Sequence, residues 1–388
     1  MAEKKSYKGC KTALMLTGGG ARAAYQVGVL KAIARFMPRN HGIPFPIICG
    51  TSAGAINATT IACYASCFHL GVRKLEWIWN NLHTGQIYHS TAGEVFGHII
   101  AGFFSNFQSP HATLKSYSLL NNEPLRELLN QVVDFKRIDV NIINNYLSSI
   151  AITASSYSCG DSISFYQADK SIEPWQRAKR RGEQCQLTTE HLMASSSIPF
   201  IFSPVRINQK FYGDGSVNQL SPLSPPIHLG AERIFIVGVE QPEQEVPLNH
   251  YPINLAKFPA PTFATVAGHL MDTVFAETMN SDLERLQRIN HTVQLIDESK
   301  RDSQTSLRNI DTLLINPSEN FNRIAQQHYG ELNWPLRLLL RFMGATKDAE
   351  SSLTSYILFE QNYCKRLIQV GFEDAMEKEQ EIREFLAI

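Results

Sequence analysis

Two short apolar runs near the N-terminus are each followed by a glycine-containing turn and a helix-forming segment. The first run covers residues 12–17, and after a turn at 18–22 the apolar residues of 23–36 recur at the spacing of an amphipathic helix. The second run, 45–49, leads through a turn at 50–54 into another helix-forming segment. Strand, turn and helix repeated in this way predict an α/β fold with a parallel sheet.

Hydrophobic patterning predicts further elements along the rest of the chain. The predicted strands are 150–154, 162–166, 233–239, 292–296 and 312–315. The predicted helices are 71–82, 123–133, 262–289, 321–329, 334–343 and 356–385. The basic run in 175–183 is predicted to be a solvated helix face, with contact to an anionic head group as the alternative.

Composition and charge narrow the classes of function. Lys+Arg and Asp+Glu number 36 each, so the net charge is zero and does not favour a nucleic-acid partner. Seven scattered cysteines argue against a disulfide framework and for a reducing compartment. Neither a signal peptide nor an apolar stretch of about 18 residues occurs. We therefore expect a cytoplasmic protein, with the inner face of a membrane as a further site of contact.

Three potential metal ligands, Cys63, Cys67 and His69, lie close together in the sequence. They lack a second ligand pair, and the two cysteines fall on one face of an apolar helix, so a packed pair of thiols is favoured over a metal site. We expect no metal and no other cofactor.

The turn at 50–54 carries the sequence Gly-Thr-Ser-Ala-Gly and is typical of a nucleophile elbow. Gly50 and Gly54 provide the small flanking positions of a sharp strand-to-helix turn, and Ser52 is the candidate nucleophile. A chance Gly-x-Ser-x-Gly in a loop is the alternative, but the apolar run before it and the helix-forming segment after it favour the elbow.

The glycines of the first turn, Gly18, Gly19 and Gly20, are candidates for an oxyanion hole. Backbone N–H groups without side chains can approach a ligand closely, and the following helix adds the positive end of its dipole. A dinucleotide fingerprint fails because position 23 is Ala, and a phosphate loop fails because no Gly-Lys-Ser/Thr follows.

The general base for Ser52 is not a histidine on sequence grounds. Histidines that follow it include His191, His228, His250, His269, His291 and His328, and none of these six lies in a turn typical of a site. Asp214 instead ends a short predicted strand between Gly213 and Gly215, in a turn that exposes its carboxylate. An ordinary Asp-Gly hairpin turn is the alternative.

Taken together and in this order, three motifs resemble the patatin-like phospholipase family. They are Gly18-Gly-Gly-Ala-Arg22, Gly50-Thr-Ser-Ala-Gly54 and Asp214-Gly215. The serine segment 194–199 resembles a further family motif, and the resemblance covers about residues 12–240. Two small departures occur. Ala23 stands where the family has glycine, and Ser216 stands where it has glycine or alanine.

The resemblance implies a three-layer core with a mainly parallel central sheet flanked by helices. It implies Ser52 as nucleophile, Asp214 as base, and an oxyanion hole formed by Gly18, Gly19 and Gly20, with Arg22 as a further candidate. The family-like domain is expected at 12–317, and 318–388 is expected to be a helical C-terminal extension or cap.

By the same resemblance, the expected function is a serine acyl hydrolase of the phospholipase A or lysophospholipase type, which releases fatty acid from lipid esters. An acyltransferase or thioesterase with the same acyl-enzyme is the first alternative. A catalytically silent lipid-binding protein is the second.

Two segments, 95–104 and 334–343, are candidates for membrane contact. Both combine aromatic and aliphatic residues, and the second also carries two arginines, as interfacial helices do. A buried connector for the first segment and a core-facing helix for the second explain the same compositions.

Overall fold

The structure is a computed structural model of the 388-residue chain. It describes residues 11–89, 91, 93, 118–242, 262–273, 278–296, 307–347 and 350–388. The candidate membrane segment 95–104 lies outside these ranges.

The strands of the described residues form one mixed sheet. They are β1 (Thr12–Leu16), β2 (Ile47–Thr51), β3 (Ser149–Ser156), β4 (Ser162–Ala168), β5 (Trp175–Arg177), β6 (Arg180–Gln184), β7 (Val205–Ile207), β8 (Lys210–Asp214), β9 (Arg233–Val237) and β10 (Asp311–Ile315). The main strand order is β10-β9-β1-β2-β3-β4-β6-β5, and the run from β10 to β3 is parallel throughout. The predicted α/β class with a mainly parallel sheet is confirmed.

Helices cover both faces of the sheet. They are α1 (Ala24–Phe36), α2 (Ala53–Cys63), α3 (Phe68–Asn80), α4 (Glu123–Val132), α5 (Lys136–Ile143), α6 (Thr189–Ser195), α7 (Ser224–His228), α8 (Phe263–Asp272), α9 (Thr278–Gln294), α10 (Phe321–His328), α11 (Trp334–Phe342), α12 (Ser352–Ile357), α13 (Gln361–Glu377) and α14 (Glu379–Leu386).

Alternate residues of β1 serve two separate cores. Leu14 and Leu16 face one core together with α1, α2 and the C-terminal helices. Ala13 and Met15 face the other core, which includes residues of α9. Because successive side chains of a strand point to opposite faces, a strand covered on both sides reads as continuously apolar, as β1 does.

The C-terminal helices share the core with the N-terminal strand–helix units. Helix α13 crosses α1 so closely that a Cβ on Gly28 would lie 2.0 Å from the carbonyl oxygen of Ile368, and one on Gly371 would lie 2.1 Å from that of Tyr25. Tyr25 also donates its hydroxyl hydrogen bond to Asp374 at 2.9 Å. The boundary expected at residue 317 stays a prediction.

Two predicted elements are wrong. Residues 175–183 form the antiparallel hairpin of β5 and β6, in which Gly182 receives the Trp175 ring and Lys179 adopts a φ of 58° at the turn. Residues 292–296 continue helix α9 and the turn after it, because Val293 extends the buried stripe of Met279 and Leu286 at helical spacing.

Two long predicted helices each correspond to more than one helix of the described residues. The prediction over 262–289 falls on two helices, α8 and α9, with 274–277 outside the described residues. The prediction over 356–385 falls on α12, α13 and α14. The other predicted elements within the described ranges are present with small shifts of their ends. No helix within those ranges combines the length and apolar content needed to cross a membrane.

Candidate active site

Both glycine turns lie at one edge of the sheet, since β1 and β2 are adjacent and parallel. The turn 50–54 is tightly enclosed by backbone. A Cβ on Gly54 would lie 2.4 Å from the carbonyl oxygens of Leu16 and Thr17, and one on Gly50 would lie 2.6 Å from that of Gly54. Only glycine fits at these two positions, as an elbow of this sharpness requires.

Ser52 occupies the tip of this turn, immediately before helix α2. Its φ of 54° and ψ of −130° lie in a sparsely populated region for a residue with a side chain, which costs about 1–3 kcal/mol. The backbone N–H of Ser52 donates to Ser195 Oγ at 2.9 Å, and Ser195 Oγ donates to the carbonyl of Thr153 at 2.6 Å. Ser195 therefore ties the strained turn to strand β3.

Asp214 reaches Ser52 because β8 pairs with the same edge of β3 as β2, starting where β2 ends. Thr51, the last residue of β2, pairs with Thr153, and Asp214 pairs with the next residue, Ala154. Strand β4 occupies the opposite edge of β3 over the same length, so β8 lies directly beyond the end of β2. Ser52 Oγ donates a hydrogen bond to Asp214 Oδ2 at 2.5 Å.

Asp214 is completely buried, so the prediction that its turn exposes the carboxylate is wrong. Burial raises the pKa of Asp214 to about 6, against the opposing effect of hydrogen bonds from Ser52 and from the backbone N–H of Ser216 at 3.0 Å. A carboxyl with a pKa near neutrality is a far better proton acceptor than an ordinary surface aspartate. A Cβ on Gly215 would lie 2.0 Å from the carbonyl oxygen of Thr153, so this position of the loop also requires glycine.

The first glycine turn faces the same region. Gly20 lines the cleft that also contains Ser52, and Gly18 lines a smaller cavity together with Ser216. Gly20 has a φ of 53°, and a Cβ there would lie 2.3 Å from the carbonyl oxygen of Tyr356. Within the described part of the chain, the N–H groups of Gly18, Gly19 and Gly20 donate no hydrogen bond, so they are available to a ligand.

Arg22 makes hydrogen bonds and an ion pair to other parts of the protein through both its backbone and its side chain. Its backbone N–H donates to the carbonyl of Gly19 at 3.0 Å. Its buried guanidinium forms an ion pair with Asp272 at 2.9 Å and lies 3.8 Å above the ring of Tyr356. Further hydrogen bonds go to Ser355 Oγ at 2.8 Å and Asn322 Oδ1 at 2.9 Å. These contacts hold the end of the glycine turn and engage the backbone N–H and most of the guanidinium donors, so the role of Arg22 as an oxyanion ligand stays a prediction.

A cleft of about 650 Å³ opens beside Ser52, and its wall is almost entirely apolar. The side chains that line it include Leu75, Trp79, Leu125, Leu129, Ile198, Phe202 and Phe359. Ser196 adds a buried hydroxyl that has no hydrogen-bond partner among the described residues. The cleft suits an aliphatic chain attached to an ester carbonyl at Ser52.

Histidines and cysteines do not complete the site. The described hydrogen bonds of Ser52 and Asp214 include no histidine. His191 packs edge-on against Phe165, and burial lowers its pKa to about 4. Burial raises the pKa of Cys63 to about 12, and the thiol donates to a backbone carbonyl. Among the described residues, no group of three or more His, Cys, Asp or Glu side chains could hold a metal ion.

Sequence reasoning did not assign roles to Ser195, Thr153 or Gln219. Thr51 Oγ1 donates to Gln219 Oε1 at 2.9 Å, which fixes the residue before Ser52. Ser195 lies in a serine segment that the sequence singled out, so a signal was present. Thr153 acts through its backbone carbonyl, which leaves no trace in residue type.

Three known proteins are similar to this chain over the following extents. Patatin-like phospholipase domain-containing protein 7 of Rattus norvegicus is 43% identical over 65 residues, which are 17% of this chain and 4% of that protein. VipD from Legionella pneumophila covers 98% of this chain and 67% of its own, with a TM-score of 0.37 and 10% identity. ExoU, solved with SpcU of the Pseudomonas aeruginosa type III secretion system, covers 96% of this chain and 79% of its own. Its TM-score is 0.26 and its sequence identity is 14%.

The two structural scores are too low to support any functional argument, and the chain spans only a small part of the rat protein. The family comparison is of a different strength. The model of the patatin-like phospholipases matches residues 14–227, more than half of the chain, and this range contains both glycine turns, Ser52 and Asp214. The chain belongs to the patatin-like phospholipase family.

Proposed function

We propose that this protein is a lipid acyl hydrolase that releases fatty acid from phospholipid or lysophospholipid esters by a Ser-Asp dyad. The observation that carries the proposal is the 2.5 Å hydrogen bond from Ser52 Oγ to the buried carboxylate of Asp214, at the wall of an apolar cleft. Family membership supports a lipid ester as the substrate class.

In the acylation step, Asp214 takes the proton of Ser52 as Oγ attacks the acyl carbonyl. The N–H groups of Gly19 and Gly20 donate to the resulting oxyanion, which compensates for the weakness of a carboxylate as a base. The tetrahedral anion collapses, and the leaving alcohol takes its proton from Asp214. Deacylation repeats the sequence: Asp214 accepts a proton from water, the hydroxide attacks the acyl-enzyme, and the free fatty acid leaves as Ser52 recovers its proton.

The test compares wild type with Ser52→Ala on phospholipid vesicles and on a short nitrophenyl ester, with Ser158→Ala at an exposed turn as the matched control. We expect Ser52→Ala to lose about 10³-fold or more in kcat/KM, because the nucleophile is removed. The wild-type kcat/KM should rise with pH up to about 6, since Asp214 acts in its ionised form.

Hydrolysis by Ser52→Ala at the wild-type rate would rule out the dyad. A fluorophosphonate probe that fails to label Ser52 in the folded wild type would favour a catalytically silent lipid-binding protein. Product analysis with an added acceptor alcohol separates hydrolysis from acyl transfer.

A membrane surface is the expected docking partner for the exposed apolar side chains of α8 and α11. Phe263 and Leu270 on α8 are more than half exposed, as are Trp334 and Phe342 on α11. The two helices adjoin, because the N–H of Ala264 donates to the carbonyl of Met343 at 2.8 Å. Arg337 and Arg341 are exposed on α11 and complement anionic head groups.

Replacing both Trp334 and Phe342 with Ser should reduce co-sedimentation with anionic liposomes several-fold, because about 25 cal/mol is lost per Å² of apolar area removed from water. Ile143→Ser, at an equally exposed residue of α5, is the control. Unchanged co-sedimentation of the folded double variant would exclude this surface.

A further inference from the structure

A second cavity, of about 560 Å³, lies beside the β5–β6 hairpin and has a different chemical character from the apolar cleft. Its wall includes three basic residues, Lys179, Arg180 and Arg285, together with the serine hydroxyls of Ser162, Ser164, Ser221 and Ser224. Lys179 and Arg180 come from the hairpin, while Arg285 comes from helix α9, so separate elements bring the three cations to one cavity.

The two guanidinium groups converge on a single neutral oxygen. Arg180 Nη1 and Arg285 Nη1 each donate to Ser221 Oγ, both at 3.2 Å. Two like charges brought this close repel each other, and the neutral hydroxyl of Ser221 does not compensate them; the carboxylate of Asp282 interacts with both guanidinium groups and offsets one charge. The two arginine side chains are arranged as in a site that binds an anion supplied from outside the protein.

The counter-charge that the protein itself provides is incomplete. Arg285 lies 3.6 Å from Asp282, whose other carboxylate oxygen accepts from the N–H of Leu223 at 3.0 Å. Within the described residues, Arg180 forms no ion pair, and its Nε is buried without a hydrogen-bond partner. A buried donor without a partner is unfavourable, because it has lost its hydrogen bonds to water, and it calls for a partner.

The neighbouring Arg181 makes the contrast clear. Its Nε is also buried and unpaired, but its Nη2 forms an ion pair with Asp161, which lies just before β4. Arg181, which does not line the cavity, therefore has a carboxylate partner, whereas Arg180, which lines it, forms no ion pair within the described residues.

We propose that this cavity binds a phosphate group, as a free phosphate or as the phosphate of a lipid head group. Guanidinium groups bind phosphate through paired N–H donors, and Lys179 supplies a third positive charge. The side chains of Lys179, Arg180 and Arg285 carry three positive charges, and Asp282 offsets one of them. The remaining excess of two positive charges suits a phosphate better than a neutral polar group.

The cavity adjoins the segment that carries Asp214. Asn218 and Gln219 form part of its wall. The side chain of Gln219 accepts from Thr51 beside the nucleophile, and the N–H of Asn218 donates to Ser155 Oγ at 3.0 Å. Gln219 also lines the small cavity that contains Gly18 and Ser216. A phosphate held here therefore adjoins the segment that follows Asp214.

The primary experiment measures binding of inorganic phosphate by calorimetry, with chloride at matched ionic strength as the reference. Wild type is compared with Arg180→Gln, Arg285→Gln and the control Arg177→Gln, which removes an exposed arginine of the same hairpin that does not line the cavity. We expect each of the first two variants to weaken phosphate binding about tenfold or more, since a charge-assisted hydrogen bond is lost, and Arg177→Gln to leave it unchanged.

Two results would overturn the proposal: no saturable phosphate binding by the wild type, or equal weakening by Arg177→Gln. Arg285 lies on an exposed helix surface, so Arg285→Gln keeps the test valid where Arg180→Gln disturbs the hairpin. The binding measurement needs no catalysis, so its outcome is independent of whether the proposed hydrolase activity is correct.

A second measurement identifies the source of the phosphate and rests on the proposed function. If the site holds the head group of the substrate, Arg285→Gln should lower the ratio of phospholipid to nitrophenyl-ester hydrolysis about tenfold, and Arg177→Gln should not. If the ligand is a free phosphate, added phosphate should change hydrolysis of both substrates by the same factor in the wild type. Either result is consistent with the site.

Discussion

The two glycine turns at the sheet edge are supported by different parts of the chain. The turn around Ser52 is enclosed by the end of β1, by Ser195 and by Asp214, all within the range that matches the family model. The turn around Gly20 is enclosed by Val239 and Tyr356, and Arg22 at its end is held by Asp272, which all lie beyond that range.

The residues of the motifs and the residues that support the first glycine turn therefore lie in different parts of the chain. The residues that carry out the proposed chemistry lie in recognisable motifs, but the proposed oxyanion donors depend on side chains and carbonyls from a region without any motif. The C-terminal helices therefore belong to the support of the site, and variants on the two sides of the comparison should fail in different ways.

The largest effect is expected for Asp214→Asn, on the Ser52 side. We expect loss of activity together with a gain in stability at neutral pH, because the wild type must keep a buried carboxylate ionised. The folded pKa of about 6 lies above the unfolded value of about 3.9, so wild-type stability falls as pH rises between them. The asparagine does not titrate, and its advantage should reach on the order of 2–3 kcal/mol above pH 6.

Urea denaturation of both proteins between about pH 4 and 8 measures this advantage. It should be absent near pH 4, grow through pH 6 and then remain constant. A variant that is less stable than wild type at pH 7 would contradict the idea that the site holds a strained carboxylate.

A smaller but still large effect is expected for Gly54→Ala, also on the Ser52 side. The new methyl group would meet two backbone carbonyls, of Leu16 and Thr17, that cannot move without displacing β1. We expect a loss of about 3 kcal/mol in the free energy of unfolding and about 100-fold in kcat/KM. Gly93→Ala, where a Cβ would contact nothing within 4 Å, is the control.

The smallest of the three effects is expected for Arg22→Gln, on the Gly20 side. The variant loses the ion pair to Asp272 and the contact with the Tyr356 ring, so the turn should loosen without any change to Ser52 or Asp214. We expect kcat/KM to fall about 10-fold, with fluorophosphonate labelling of Ser52 retained but slowed.

Arg288→Gln, at a highly exposed arginine, is the control for loss of charge. Turnover by Arg22→Gln at the wild-type rate would show that the C-terminal region does not support the glycine turn.

The sequence predicted the parallel strands well, because they depend on local residue types. The assignment of Ser52 and Asp214 to one dyad follows instead from the resemblance of separate motifs and stays a prediction. The strand at 12–17 and the elbow at 50–54 both follow from apolar runs that end in glycine. The predicted helix ended at residue 289 because Thr292 and Val293 favour strands locally, whereas the burial of Val293 in line with Leu286 decides for helix.

Other features depend on contacts that residue types do not encode. The charges of 175–183 suggested a helix face, and the packing of Trp175 against Gly182 that makes a hairpin could not be inferred from them. In the same way, nothing in the residues 18–22 indicates that Tyr356 will approach Gly20, because such a contact is fixed only by the completed topology.

The bond between Arg22 and Tyr356 joins residues separated by 334 positions. During synthesis, the elbow and its aspartate emerge from the ribosome well before the chain that encloses the first glycine turn. A nascent chain that ends before residue 356 has Ser52 and Asp214 but not the wall against which Gly20 is seated. The order of translation thus leaves the proposed oxyanion turn without its supporting wall until Tyr356 has been made.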